Sequence, residues 1–167
     1  MQRRACMRRI AVVGSLVAVL AFSAVALAAI RHYHGKDEDP ACASIPPPNA
    51  CKMKFDGAVR NGRVVKVRNF TFNKIPMPCT EGPFALSNTG NPLPPMRVNA
   101  QRRFHGDFVD NQTSPTQYTH VDGRFSTNYK RATGHFRFHG DLSPEVFPPT
   151  GLHNCDTGRD DWHARTG

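Results

Sequence analysis

The chain has 167 residues, with 22 Lys and Arg against 13 Asp and Glu and a formal net charge of +9. That length has room for one domain of ordinary size once a leader is set aside. A surplus of this sign draws a domain towards anionic partners.

Residues 1–9 carry Arg3, Arg4, Arg8 and Arg9 and no acid, and the stretch from Ile10 to Ile30 has no charged residue. As a helix it would span about 31 Å, close to the thickness of a bilayer core. Ala24, Ala26 and Ala28 supply the small alternate residues that suit signal peptidase. Residues 1–30 are therefore read as a cleaved signal peptide or as a membrane-anchor helix. If uncleaved, residues 10–30 make the membrane a partner. The arginine-rich tip keeps the N-terminus in the cytoplasm and sends the remainder outward.

Residues 31–50 read as a charged, Pro-rich tether. His32 and His34 flank Tyr33, the cluster Lys36-Asp37-Glu38-Asp39 follows, and Pro46-Pro47-Pro48 favours a stiff extended spacer.

Residues 51–167 carry a β pattern. A large apolar residue, a glycine two positions on and an apolar or small residue beyond it recur at Phe55-Asp56-Gly57-Ala58-Val59 and Phe104-His105-Gly106-Asp107-Phe108. The unit returns at Val121-Asp122-Gly123-Arg124-Phe125 and Phe138-His139-Gly140-Asp141-Leu142. Alternate residues of a strand share a face, so each trio points inward, and the glycine marks a bulge or a close approach by another side chain. Val65 and Val67 have one parity and Phe70 and Phe72 the other, which calls for a bulge near Arg68-Asn69. Asn61-Gly62 is a hairpin turn, and Gly82-Pro83, Asn88 to Pro95 and Pro148-Pro149 mark loops. No stretch of this region sustains a helical apolar period. The expected fold is all-β, an antiparallel β-sandwich or barrel-like domain of short strands preceded by an N-terminal hydrophobic helix.

Cys6 lies in the leader, which leaves Cys42, Cys51, Cys79 and Cys155 in a compartment where disulfides persist. Four cysteines allow three connectivities, and spacing does not choose among them. No Cys-x-x-Cys pair occurs, and no cysteine has a histidine three to five residues away, so a zinc site is not expected.

The series from Phe55 through Asn61-Gly62-Arg63-Val64, Asn69-Phe70-Thr71-Phe72 and Cys79 is followed by the Gly-x-Phe strands. Cys155-Asp156-Thr157-Gly158 and Trp162-His163-Ala164 complete it. Over roughly residues 52–165 this order of motifs resembles an uncharacterised β-rich domain family common in exported actinobacterial proteins. The resemblance implies an extracytoplasmic β-domain and a Cys79–Cys155 bond, and it implies no activity. Cys42 and Cys51, expected as the second pair, the polyproline run and Asp160-Asp161 depart from the family pattern.

His105-x-Asp107 and His139-x-Asp141 repeat one pair, and His135, Arg137, His139 and Asp141 share a parity opposite to Phe136, Phe138 and Leu142. These polar residues are expected on a solvated strand face. No metal site is assigned to them, since Arg137 in the row would repel a cation. Ser87, Ser114, Ser126 and Ser143 lie in no Gly-x-Ser-x-Gly setting, no cofactor motif is present, and no catalytic residue is assigned.

Residues 52–137 hold 14 Lys and Arg against 5 Asp and Glu. Lys66, Arg68, Arg102, Arg103 and Arg137 are the residues read as a basic binding face. An anionic envelope polymer is the partner they suit, and export argues against nucleic acid. The functional expectation is a non-catalytic binding or structural module of the cell envelope. The alternative is an extracytoplasmic hydrolase of envelope glycans, built on acids such as Asp110, Asp122 and Glu145.

Overall fold

The computed structural model describes residues 29–44, 51–110, 116–144 and 149–167. Eleven strands and one short 3₁₀ turn run in the order β1 Ala29–Asp37, the turn Pro40–Ser44, β2 Lys52–Arg60, β3 Arg63–Asn73, β4 Ile75–Cys79 and β5 Gly82–Leu86. There follow β6 Met96–Arg97, β7 Arg103–Asp110, β8 Gln117–Phe125, β9 Arg131–Leu142, β10 Leu152–Asp156 and β11 Asp160–Thr166. The large sheet has the order β6-β3-β2-β1-β11-β9-β8-β7, and β10 adds to β9 beyond the end of β11. Its neighbours are antiparallel. The sheet curls until it nearly closes, its edge strands β6 and β7 joined by a short turn in which the Asn99 N–H donates to the Arg103 carbonyl at 2.9 Å. The fold is thus the barrel-like form of the expected all-β domain.

The inward trios line the barrel. Phe55, Phe70, Phe104, Phe125 and Trp162 pack ring against ring, with Tyr33 stacked on Phe55 at a centroid distance of 4.7 Å. Glycine makes room for them. A Cβ at Gly123 would lie 2.4 Å from the Phe104 ring, and one at Gly134, opposite it on β9, would lie 2.6 Å from Trp162. The Tyr33 hydroxyl donates to the Tyr129 carbonyl at 2.6 Å, so this polar tip is satisfied inside the wall.

The bulge falls where the parity change placed it. Lys54 pairs with Thr71 and Asp56 with Arg68, an extra residue on β3, and Asn69 takes a φ of 53°. A second irregularity lies between Ala58–Lys66 and Val59–Val64, and it corrects one assignment: Val64 and Val67 face the core, while Val65 is exposed. Arg60 pairs with Arg63 across Asn61 and Gly62, both at positive φ, the hairpin turn expected there. Gly82-Pro83 is no loop. It starts β5, which pairs with β4 through a Thr80-Glu81 turn.

Residues 31–37 are not a tether. They form most of β1, which sits inside the sheet between β2 and β11, so the β-domain begins before residue 51. Its inward positions are Tyr33, Gly35 and Asp37, and a single large apolar residue hid the alternation. The following turn is pinned by the Cys42–Cys51 disulfide. Ala29 and Ile30, the last two residues of the apolar stretch, also belong to β1. The anchor-helix assignment otherwise falls on residues outside those described, as does the Pro46-Pro47-Pro48 run. Among the described residues, no helix is long and apolar enough to cross a membrane.

The β4–β5 hairpin is fastened to β10 by the Cys79–Cys155 disulfide and by a Thr80 N–H bond to the His153 carbonyl. Both cysteine pairs are those expected. Two disulfides in so small a domain mark an oxidising, extracytoplasmic environment.

Candidate functional site

Alternation sends every second side chain outward, and the register sorts these into rows across the strands. In one row, Lys54 of β2 pairs with His34 of β1, His34 with Arg165 of β11, and Arg165 with Arg131 of β9. In the next, Lys52 pairs with Lys36, Lys36 with His163, and His163 with Thr133. These side chains line a groove of about 870 Å³ on the outer face of the four strands. Its floor is the backbone of Met53, Gly35, Ala164 and Ala132, one cross-strand row whose side-chain positions face into the barrel. Gly35 is required there, because a Cβ would meet the His163 carbonyl oxygen at 2.1 Å.

Little neutralises the groove. Glu38 accepts from His163 Nδ1 at 2.6 Å. Among the described residues, no carboxylate lies within 4.0 Å of the Lys36, Lys54, Arg131 or Arg165 head groups. The second row continues beyond Thr133 to Arg124 and Arg103, so that one cation per strand recurs on β7, β8, β1 and β2, with His163 on β11.

Beside this basic groove runs a ladder of acids and imidazoles on β7, β8, β9 and β11. His120 places Nδ1 2.6 Å from Asp107 and Nε2 3.4 Å from Asp122. His135 lies 3.1 Å from both Asp122 and Asp161. Donation of a hydrogen bond to Asp107 raises the His120 pKa above its ordinary value, and Glu81 does the same for His153 at the far end of the barrel. The ladder borders a second groove of about 690 Å³ that passes over Gly123 and Gly134.

The outward parity expected for His135, Arg137, His139 and Asp141 is what the strand shows, but their partners differ from the expected grouping. Arg137 forks onto Asp156, which holds that carboxyl below its ordinary value. His139 stacks on Tyr118, and Asp141 accepts from the Asn154 N–H at 2.6 Å. His105 faces Asp122 across the strands. His120, at the centre of the ladder, was missed, and Asp122 was read only as an acid of the hydrolase alternative, although His120-x-Asp122 is a third copy of the same motif. Among the described residues, no group of three or more His, Cys, Asp or Glu side chains is placed to hold a metal ion.

The five residues read as a basic face do not form one. Lys66 and Arg68 lie on β3 beside Arg97 and Asp56, and Arg137 is neutralised on β9. Arg102 turns back at a φ of 64° and its Nε donates to the Phe125 carbonyl. Arg103 alone joins the basic belt, next to Arg124. The concentrated patch arises elsewhere, because it gathers cations from four strands rather than from runs along one.

Two carboxyls are buried in the wall. Asp37 and Asp160 are 3% and 7% exposed, and each keeps one oxygen without a hydrogen-bond partner. Burial pushes the Asp37 pKa up to about 6. Burial, together with the charges of Asp37 and Asp39, pushes Asp160 up to about 7. Comparison of the chain with protein-family models, curated proteins and solved structures finds no match.

Proposed function

We propose that this chain is an exported, non-catalytic module of the cell envelope that binds an anionic envelope polymer through the β2-β1-β11-β9 groove. The observation that carries the reading is the gathering of Lys36, Lys52, Lys54, Arg131 and Arg165, with His34 and His163, around one groove, where Glu38 pairs with His163 and no described carboxylate reaches Lys36, Lys54, Arg131 or Arg165. A rigid, disulfide-braced barrel presents this charge without reorganisation, which favours binding. The export leader and the resemblance to an exported β-rich family fit the same role. Since β1 starts at Ala29, a retained leader leaves no spacer and holds the barrel at the bilayer, whereas a cleaved one releases the domain.

The hydrolase alternative has less behind it. Among the described residues, the carboxyls raised towards neutrality, as a general acid's must be, are Asp37, at about 6, and Asp160, at about 7, and both are buried away from either groove's solvent face. The test is retention of the purified full chain on its own envelope fraction. Retention at about 50 mM salt and release at about 500 mM is expected, since counterion release weakens charge-driven binding steeply. Salt-insensitive retention, or release of soluble sugar from that fraction, would refute the reading.

A further inference from the structure

We infer that the groove takes a linear phosphodiester chain laid across the strands and held by its backbone charge alone. This rests on the binding-module reading above and names the ligand class of that site.

The two rows set the geometry. Adjacent strands are about 4.8 Å apart, so Lys54, His34, Arg165 and Arg131 span about 14 Å across four strands. The row of Lys52, Lys36 and His163 runs parallel to it, two residues along each strand, about 6.8 Å away. A chain lying between the rows meets cations on both flanks. A phosphodiester suits this, because the two non-bridging oxygens that share its single negative charge project from the chain itself, and a cation on either flank can reach one of them. A sugar carboxylate projects to one side and meets one row. The mixture of Lys with Arg fits the same chemistry, since both bind phosphate while a planar carboxylate favours the Arg fork.

What lines the groove narrows the class further. Apart from the two imidazoles, no aromatic side chain among the described residues borders it. Binding of single-stranded nucleic acid relies on aromatic faces on which bases stack, so here only the phosphate backbone would be held. The curvature favours a chain over a membrane. The second row continues through Thr133 to Arg124 and Arg103, onto six strands of a curled sheet, and a flat bilayer cannot touch that whole arc.

The test titrates the full chain with a synthetic poly(glycerol phosphate), with a polygalacturonate of equal charge number, and with vesicles containing phosphatidylglycerol. Two triple variants are compared: Lys36→Glu, Lys54→Glu and Arg165→Glu in the groove, and Arg63→Glu, Lys66→Glu and Arg68→Glu outside it. All six residues face outward on the wall, and both triples change net charge equally. The expected result is binding of poly(glycerol phosphate) with a log K against log salt slope of about −3 to −4, for four to five neutralised charges. The groove triple should weaken it at least tenfold, the outer triple less than threefold, and polygalacturonate should bind at least tenfold more weakly. Equal affinity for polygalacturonate, or tighter binding to the vesicles, would overturn the phosphodiester assignment and leave the binding-module reading intact. Equal losses from the two triples would overturn the groove. Failure of all three probes together with failure of envelope retention would sink both proposals.

Discussion

Asp160→Asn should make this domain more stable at neutral pH and flatten its dependence on acidity. In the folded chain Asp160 holds its proton up to about pH 7, while an unfolded aspartate releases it near pH 4. Between those values the native state binds more protons than the unfolded state, so stability must fall as pH rises. At about 1.4 kcal/mol per pH unit the loss from this one carboxyl approaches 4 kcal/mol by pH 7.5. Asp37, with its pKa near 6, adds a smaller loss of the same sign. Of the other displaced groups near this window, two carboxyls act at its acid end and two imidazoles at its upper end, where they add a fall that parent and variant share. Glu81 and Asp156, held low by His153 and Arg137, contribute stability that is lost only as pH falls through their values. His120 and His153 lose theirs above about pH 6.5. The asparagine removes the charge but buries an amide, which costs about 1–3 kcal/mol if unpaired. A net gain of about 1–3 kcal/mol at pH 7.5, and a loss at pH 4.5, are therefore expected. Urea unfolding at both values, followed by fluorescence of Trp162, the chain's single tryptophan, reads this directly. A variant whose stability falls between pH 4.5 and 7.5 as steeply as the parent's would refute the reasoning.

Replacing Cys79 and Cys155 by Ser should cost about 4 kcal/mol, since their sequence separation is 76, and replacing Cys42 and Cys51, separated by 9, should cost less; denaturation midpoints give the order. Phe138→Ala should cost about 3–5 kcal/mol and His139→Ala about 0.5 kcal/mol or less, because the first is buried and the second exposed. Equal sensitivity would mean that β9 faces the other way. Gly134→Ala should prevent folding into this barrel, since its Cβ would lie 1.9 Å from the Asp122 carbonyl oxygen, and the circular dichroism of the variant decides it.

The strands with large inward residues were legible because Phe55, Phe104, Val121 and Phe138 each start a clean alternation that a sheet must bury on one side. The bulge at Asn69 was legible for the same reason, as Phe70 and Phe72 change parity with respect to Val67. β1 was not, because its inward residues are Tyr33, a glycine and an aspartate. Gly35 is set by Ala164 and the His163 carbonyl, far along the chain, and nothing local announces that. The basic groove was hidden by the same topology. His34 and Arg165 become neighbours only once β1 is known to pair with β11, and a charge count along the sequence instead selected Lys66 and Arg68 on β3 and Arg102 before β7, none of which reaches the groove. The His120-x-Asp122 pair needed no topology, only recognition of a motif already noted twice.

The pairing of β1 with β11 joins the first described strand to the last, and, on export as proposed above, this sets an order on events. A chain threaded through the membrane from its N-terminal end delivers β1, β2 and β3 early, and these can pair at once. The other edge of β1 then waits, open to solvent, until Asp160–Thr166 has crossed. Cys42 meets Cys51 soon after emerging, but Cys79 has no native partner until Cys155 arrives. Ring closure is thus the final act, and such non-local pairing is slow. A half-emerged chain carries a free thiol and an unpaired strand edge, the two features that most invite a neighbour to react or to stack.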